Sequence, residues 1–146
     1  MSDAGFIDVI AGALARLGTD RALVVSSEDG LDEMSTAAPT HVVEVNGDAI
    51  ERYTVSAGDV GLPAAPEDAV AGGTPEVNAR VTRAILAGES GPHADLAYLN
   101  AGAAIYAGGR AETLADGVAA AREACTSGAA TATLDEYVGL SVELAQ

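Results

Sequence analysis

The chain has 146 residues, 49% of them hydrophobic, which suits a single domain with a real core and excludes a disordered tail. Acidic residues number 22 against 7 basic ones, all of them Arg, for a net charge of −15. A field of that sign excludes nucleic acid and anionic membrane as partners, and the absence of Lys points to adaptation to molar salt, where counterions screen self-repulsion.

Phe6, Ile7, Ile10, Leu14 and Leu17 recur at helical spacing and Gly18 stops the run, which predicts an N-terminal helix. Ala22-Leu23-Val24-Val25 is a short apolar run, read as a buried strand. The loop Asp29-Gly30-Leu31-Asp32-Glu33 follows directly. His41 to Val45, then Asn46-Gly47-Asp48, then Ala49 to Val55 reads as a hairpin, because both positions of an Asn-Gly turn favour positive φ. Residues 56–75 are a long connection rich in Gly, Pro and Asp, with room for one helical turn.

The remainder reads as four helices. Thr74-Pro75 is a cap followed by a first-turn proline, with Val77, Val81 and Ile85 as the expected buried stripe. Gly91-Pro92 opens the next helix, Leu96, Leu99, Ala103 and Tyr106 share one face, and Gly108-Gly109 ends it. Thr113 to Asp116 resembles a capping box with Asp in place of Glu, and Leu114, Val118, Ala121 and Cys125 face inward beyond it. A last helix is expected from about Ala130 to Leu144. Three strands make a thin sheet, and both of its faces need cover. A helix ahead of the first strand suggests a folding unit that continues elsewhere.

Few residues carry chemistry. Asp32 and Glu33 lie in a loop at the end of a buried strand, where α/β sheets place ligand sites. Adjacent carboxylates in a loop can converge on one cation, and Mg²⁺ is held by one or two carboxylates plus waters and phosphates. The competing reading is solvated surface, because Glu28-Asp29, Glu67-Asp68 and Asp135-Glu136 are also acidic pairs. Gly72-Gly73-Thr74-Pro75 is read as a turn and cap rather than an anion cradle, since no P-loop Lys follows. His41 and His93 lack a second His or Cys at ligand spacing. Asn100 interrupts an apolar helix face, so it is either a hydrogen-bonding hub or part of a site. Cys125 is the only cysteine, which rules out an intrachain disulfide and fits a packed core thiol in a reducing cytoplasm. No basic leader and no run of ~18 apolar residues is present.

Several stretches together resemble anthranilate phosphoribosyltransferase: Ala13 to Gly18, Arg21 to Val25, Glu28 to Glu33, Gly72 to Ala79, Ala84 to Pro92 and Leu99 to Gly109. The resemblance runs in order along essentially the whole chain. It implies an α/β fold, a partial large domain of the nucleoside phosphorylase/phosphoribosyltransferase type, with a small mixed sheet, an N-terminal helix and a C-terminal helical run. It implies transfer of phosphoribosyl from 5-phosphoribosyl-1-diphosphate to anthranilate, with Mg²⁺ coordinated by Asp32 and Glu33. On the same reading, residues 1–146 are the C-terminal portion of the catalytic domain. The family's helical domain, Gly-Thr-Gly-Gly-Asp diphosphate loop and Lys-His-Gly-Asn segment are not in this sequence. The chain alone is then expected to be inactive and to associate with itself or with the missing N-terminal part. The acidic composition suggests a haloarchaeal version. The family commonly has His-Gly where this chain has Ser26-Ser27, a departure beside the acidic loop. The alternatives are a non-catalytic decayed paralogue or interaction module, and a pyrimidine-nucleoside phosphorylase relative.

Overall fold

A computed structural model describes all residues except Ser2, Glu67 and Gln146; the Glu67 half of the Glu67-Asp68 pair therefore lies outside the described residues. A short 3-10 turn, Ala4–Phe6, leads into α1 (Ile7–Arg16), followed by β1 (Arg21–Ser27), β2 (Thr40–Asn46) and β3 (Ala49–Val55). A second 3-10 turn, Ala57–Val60, sits in the long connection. Four helices follow: α2 (Pro75–Leu86), α3 (Pro92–Ala107), α4 (Leu114–Thr126) and α5 (Ala129–Leu144).

The three strands lie in the order β1-β2-β3 and every pairing is antiparallel. The α/β class holds, but the sheet is antiparallel throughout rather than mixed. The reason is the connection from β1 to β2: it is a loop with no crossover helix, so β2 returns beside β1 in the opposite sense. The hairpin also differs in detail. Asn46 pairs with Ala49, which leaves Gly47 and Asp48 as the turn, and only Gly47 takes a positive φ, at 57°. That is the II′ pattern, with glycine first, rather than I′.

Alternation along β2 covers both faces of the sheet. Val43 and Val45 pack with Val24, Ile7 and Ala11 beneath α1. Val42 packs on the other side with Met34, Tyr98, Leu99, Val118, Ala121 and Cys125, under α3 and α4. The result is three layers, one helix against one face and a helical pair against the other.

The helical pair is unusually close. A Cβ on Gly102 would sit 2.5 Å from the Val118 nitrogen and 2.8 Å from its Cα, and a Cβ on Gly117 would collide with the Gly102 carbonyl. These two glycines let the α3 and α4 backbones touch, and α3 carries the residue that reaches the acidic loop. The expected caps hold: Thr74 Oγ1 accepts from the Val77 amide and Thr113 Oγ1 from the Asp116 amide. The expected burial holds only in part. Val118, Ala121 and Cys125 are buried, but α2 has no buried residue. In the N-terminal run Leu17 is 81% exposed and Phe6 54%, and α5 has no buried residue either.

Candidate functional site

The loop after β1 is organised around one carboxylate. Asp29 Oδ1 accepts from the Ser27 hydroxyl at 2.6 Å and from the Leu31 amide at 3.2 Å, and Oδ2 accepts from the Ser35 hydroxyl at 2.6 Å. Burial works to raise the Asp29 pKa, but the bonds from Ser27, Ser35 and the backbone outweigh it and hold the group below the ordinary carboxylate value. Ser35 is a second node: its hydroxyl accepts from the Ala37 and Ala38 amides, and its own amide donates to Thr40 Oγ1. The base of the loop is closed by the Glu28 amide donating to the Pro39 carbonyl, and its turn by the Gly30 amide donating to the Ser27 carbonyl, with Gly30 at φ 87°. The Met1 nitrogen donates to the carbonyls of Val25 and Asp32.

Asn100 grips the other side of the loop. Its Oδ1 accepts from the Met34 amide at 2.9 Å, and its Nδ2 donates to the Met34 carbonyl at 2.9 Å and the Leu96 carbonyl at 3.1 Å. Of the two readings open for Asn100, the hub is observed, and the loop it serves is the acidic one. The Met34 side chain is itself buried, 1% exposed, against Leu99 and Val42.

Asp32 and Glu33 stand between these two fixed points, both exposed. Neither belongs to an ion pair among the described residues. Two adjacent, unengaged carboxylates form an all-oxygen donor set that fits a hard cation keeping waters and phosphate oxygens as its other ligands. No group of three or more His, Cys, Asp or Glu among the described residues could hold a metal by itself. Two carboxylates can offer a cation one wall and not a cage.

The other candidates resolve as structure. Gly73 donates its amide to Asn78 Oδ1 at 2.8 Å, so that Gly-Gly turn is engaged in capping α2. His41 pairs with Glu28 at 3.3 Å. Cys125 is buried, and burial pushes its thiol pKa up, as expected of a core residue.

One cluster lies outside the residues that the sequence singles out for chemistry. Glu44, buried in β2, accepts from the Tyr53 hydroxyl at 2.8 Å and the Tyr106 hydroxyl at 2.9 Å, with Arg21 Nε 3.8 Å away. The Arg21 guanidinium also lies 4.7 Å from the Tyr106 ring centre. Burial first, and then the bond to Glu44, raise the pKa of both tyrosines. This network pins the C-terminal end of α3 to the sheet, as Asn100 pins its middle to the loop. Only the unbroken Val-Val-Glu-Val run, with a Glu inside an apolar strand, hinted at it.

Residues 1–131 match the model of the glycosyl transferase family, a/b domain. An anthranilate phosphoribosyltransferase of Rubrobacter xylanophilus is 44% identical over 143 residues, covering 97% of this chain and 42% of that protein. One from Haloferax volcanii is 48% identical over 134 residues, covering 91% and 40%. The crystal structure of anthranilate phosphoribosyltransferase from Thermus thermophilus superposes with a TM-score of 0.86 at 42% identity, covering 94% of this chain and 40% of that one. The Saccharomyces cerevisiae enzyme in complex with PRPP and Mg shares the fold, with a TM-score of 0.84 at 21% identity. The chain thus spans about two fifths of the length of the curated relatives it matches.

Proposed function

The chain belongs to the glycosyl transferase family, a/b domain, and on that premise we propose that it supplies part of an anthranilate phosphoribosyltransferase acting in tryptophan biosynthesis. The observation that carries this reading is the acidic loop: Asp32 and Glu33 exposed and unengaged, between two backbone positions fixed by Asp29 and Asn100. The reaction moves a phosphoribosyl group from 5-phosphoribosyl-1-diphosphate to anthranilate and releases diphosphate. Asp32 and Glu33 would hold Mg²⁺, which supplies neutralisation of the diphosphate charge. Asp29, kept ionised by the Ser27 and Ser35 hydroxyls, holds the turn. Asn100 holds the residue after Glu33.

Positioning both substrates in line accounts for most of the acceleration such a transfer needs. The described residues offer one metal wall and no pocket for either substrate, so the isolated chain is expected to bind Mg-diphosphate without turnover. Substrates would be met in association with a second copy or with the remainder of a longer enzyme. We also assign the −15 charge to function in molar salt, in a cytoplasm; no helix among the described residues is long and apolar enough to cross a membrane.

Calorimetric titration of Mg²⁺ plus diphosphate into the purified chain tests the site, with Asp32→Ala as the control. Saturable binding lost in the variant is the expected result. Binding that survives in Asp32→Ala would remove the pair from the metal site. Turnover of phosphoribosyl diphosphate with anthranilate by the isolated chain would refute the inactivity.

A further inference from the structure

We propose that Asn100 is a positioning residue for the metal loop: its side-chain amide fixes where Asp32 and Glu33 present their carboxylates. This rests on the reading of that pair as the Mg-diphosphate site.

The geometry is specific. A primary amide offers one acceptor and two donor hydrogens in one plane. Asn100 uses the acceptor and one donor on the amide and carbonyl of a single residue, Met34, both at 2.9 Å. This is the pairing a neighbouring strand would give, delivered by a side chain to a loop segment that has no strand partner. The second donor returns to Leu96 on the preceding turn of α3, which fixes the amide plane. With all three bonds made, neither an acid nor a hydroxyl at this position can reproduce the set.

What is held matters more than how well. Met34 directly follows Glu33, and its side chain is anchored in the core beside Leu99, the residue next to Asn100. The upstream end of the same segment is fixed by Asp29 through Ser27, Leu31 and Ser35. The tip between them contains both carboxylates and is held in addition at the Asp32 carbonyl by the Met1 nitrogen. A hydrogen bond that served helix packing alone could have gone to any loop residue. This one fixes the residue that adjoins Glu33, as the bond from the Leu31 amide to Asp29 fixes the residue that adjoins Asp32. Partners that orient metal ligands change affinity by about 10–100-fold when removed, so the role is measurable without catalysis.

Mn²⁺ takes the same oxygen-rich octahedral sites as Mg²⁺ and is paramagnetic. Mn²⁺ with diphosphate would be titrated into the whole chain in concentrated KCl, and free and bound ion followed by electron paramagnetic resonance. Asn100→Ala is expected to weaken binding about tenfold or more and to alter the spectrum of the complex that remains at saturation. Tyr106→Phe, on the same helix but bonded to Glu44 instead of the loop, controls for loosened packing and is expected to change neither. A folded Asn100→Ala protein that binds within twofold of the parent with an unchanged spectrum would overturn the inference and leave the metal reading standing. An equal loss in Tyr106→Phe would also overturn it, since binding would then follow packing. If Asn100→Ala does not fold, Asn100→Ser is judged by the same criteria. Failure of both to fold would overturn the inference, because Asn100 would then serve the fold and not the loop. Absence of any Mn-diphosphate binding in the parent, matching Asp32→Ala, would overturn the metal reading and this inference together.

Discussion

Replacing Gly102 with Ala adds one methyl group at the point where α3 and α4 cross. That methyl would meet the Val118 nitrogen at 2.5 Å and its Cα and Cγ2 at 2.8 Å, about 1 Å inside the ~3.5–4.0 Å at which non-bonded carbons rest. The obstructing atoms are mainly backbone, so a rotamer change gives no relief and the helices must part. Overpacking of this kind costs about 1–3 kcal/mol, and rigid backbone on both sides places the cost near the upper end. Replacing glycine within a helix returns about 0.5–1 kcal/mol, which leaves a net loss of about 1–2 kcal/mol. For a chain of this size that lowers the thermal midpoint by about 2–8 °C. The control is the same substitution at Gly139 in α5, where a Cβ meets nothing within 4 Å; there only the helix gain applies and the midpoint should rise. Thermal denaturation followed by circular dichroism in concentrated KCl reads both. A Gly102→Ala midpoint equal to or above the parent's would refute the argument that the helices touch through these glycines.

Other consequences follow from the same geometry. Ser35→Ala removes one of the donors that hold the Asp29 pKa down, so the Asp29 carboxyl should titrate closer to its ordinary value in carbon-13 spectra; an unmoved titration would show that Ser35 does not support it. Because the folded Asp29 pKa is depressed, its stabilisation is present above the ordinary value of 3.8 and lost as pH falls through the lower folded value, so protection of the Leu31 amide from hydrogen exchange should fade only in strong acid. The tyrosines behave oppositely. With the pKa of Tyr53 and Tyr106 raised above 10.0, their contribution is complete below that pH and declines as pH rises. Tyrosinate absorbance should therefore lag an exposed tyrosine and appear together with loss of structure, and simple titration with the fold intact would contradict the buried Glu44 network. Finally, a net charge of −15 predicts loss of helical signal on dialysis into low salt; a spectrum unchanged by desalting would sink the salt-adaptation reading.

The fold was legible where local chemistry decides it. Thr74 and Thr113 announce helix starts with a hydroxyl that serves a backbone amide, and both do so. Val42 faces opposite to Val43 and Val45, which required cover on both faces, and α1 and the α3–α4 pair provide it. Periodicity could not say which apolar residues are covered. Leu17 and Val77 sit at the right spacing yet remain exposed, because spacing defines a face and only packing partners bury it. Long-range polar pairing was equally hidden. Nothing in the local pattern names a partner for Glu44, and Tyr106, 62 positions away, supplies one. Asp29 looked like half of a surface acidic pair, since the hydroxyls that give it a role come from Ser27 and Ser35 on either side of the turn.

The departure of this chain from its family's usual pattern bears on how the loop is built. Ser26-Ser27 stands where the resemblance to the family implies His-Gly, and the Ser27 hydroxyl donates to Asp29 at 2.6 Å. A glycine there could offer no such bond, so the substitution adds a donor at the upstream anchor and shares between two hydroxyls the task of keeping Asp29 ionised. The loop is then held entirely by residues of this chain: Asp29 with its serines on one side, Asn100 on the other. On the proposal that Asp32 and Glu33 hold the cation, a loop held in this way does not need substrate to form the site. Its cation affinity should be a property of this chain, whereas turnover needs substrate pockets that a single acidic wall does not contain. Ser27→Gly separates the two contributions to the anchor: metal-loop order should survive it if Ser35 suffices, and amide exchange at Gly30 and Leu31 should accelerate if the second donor is required.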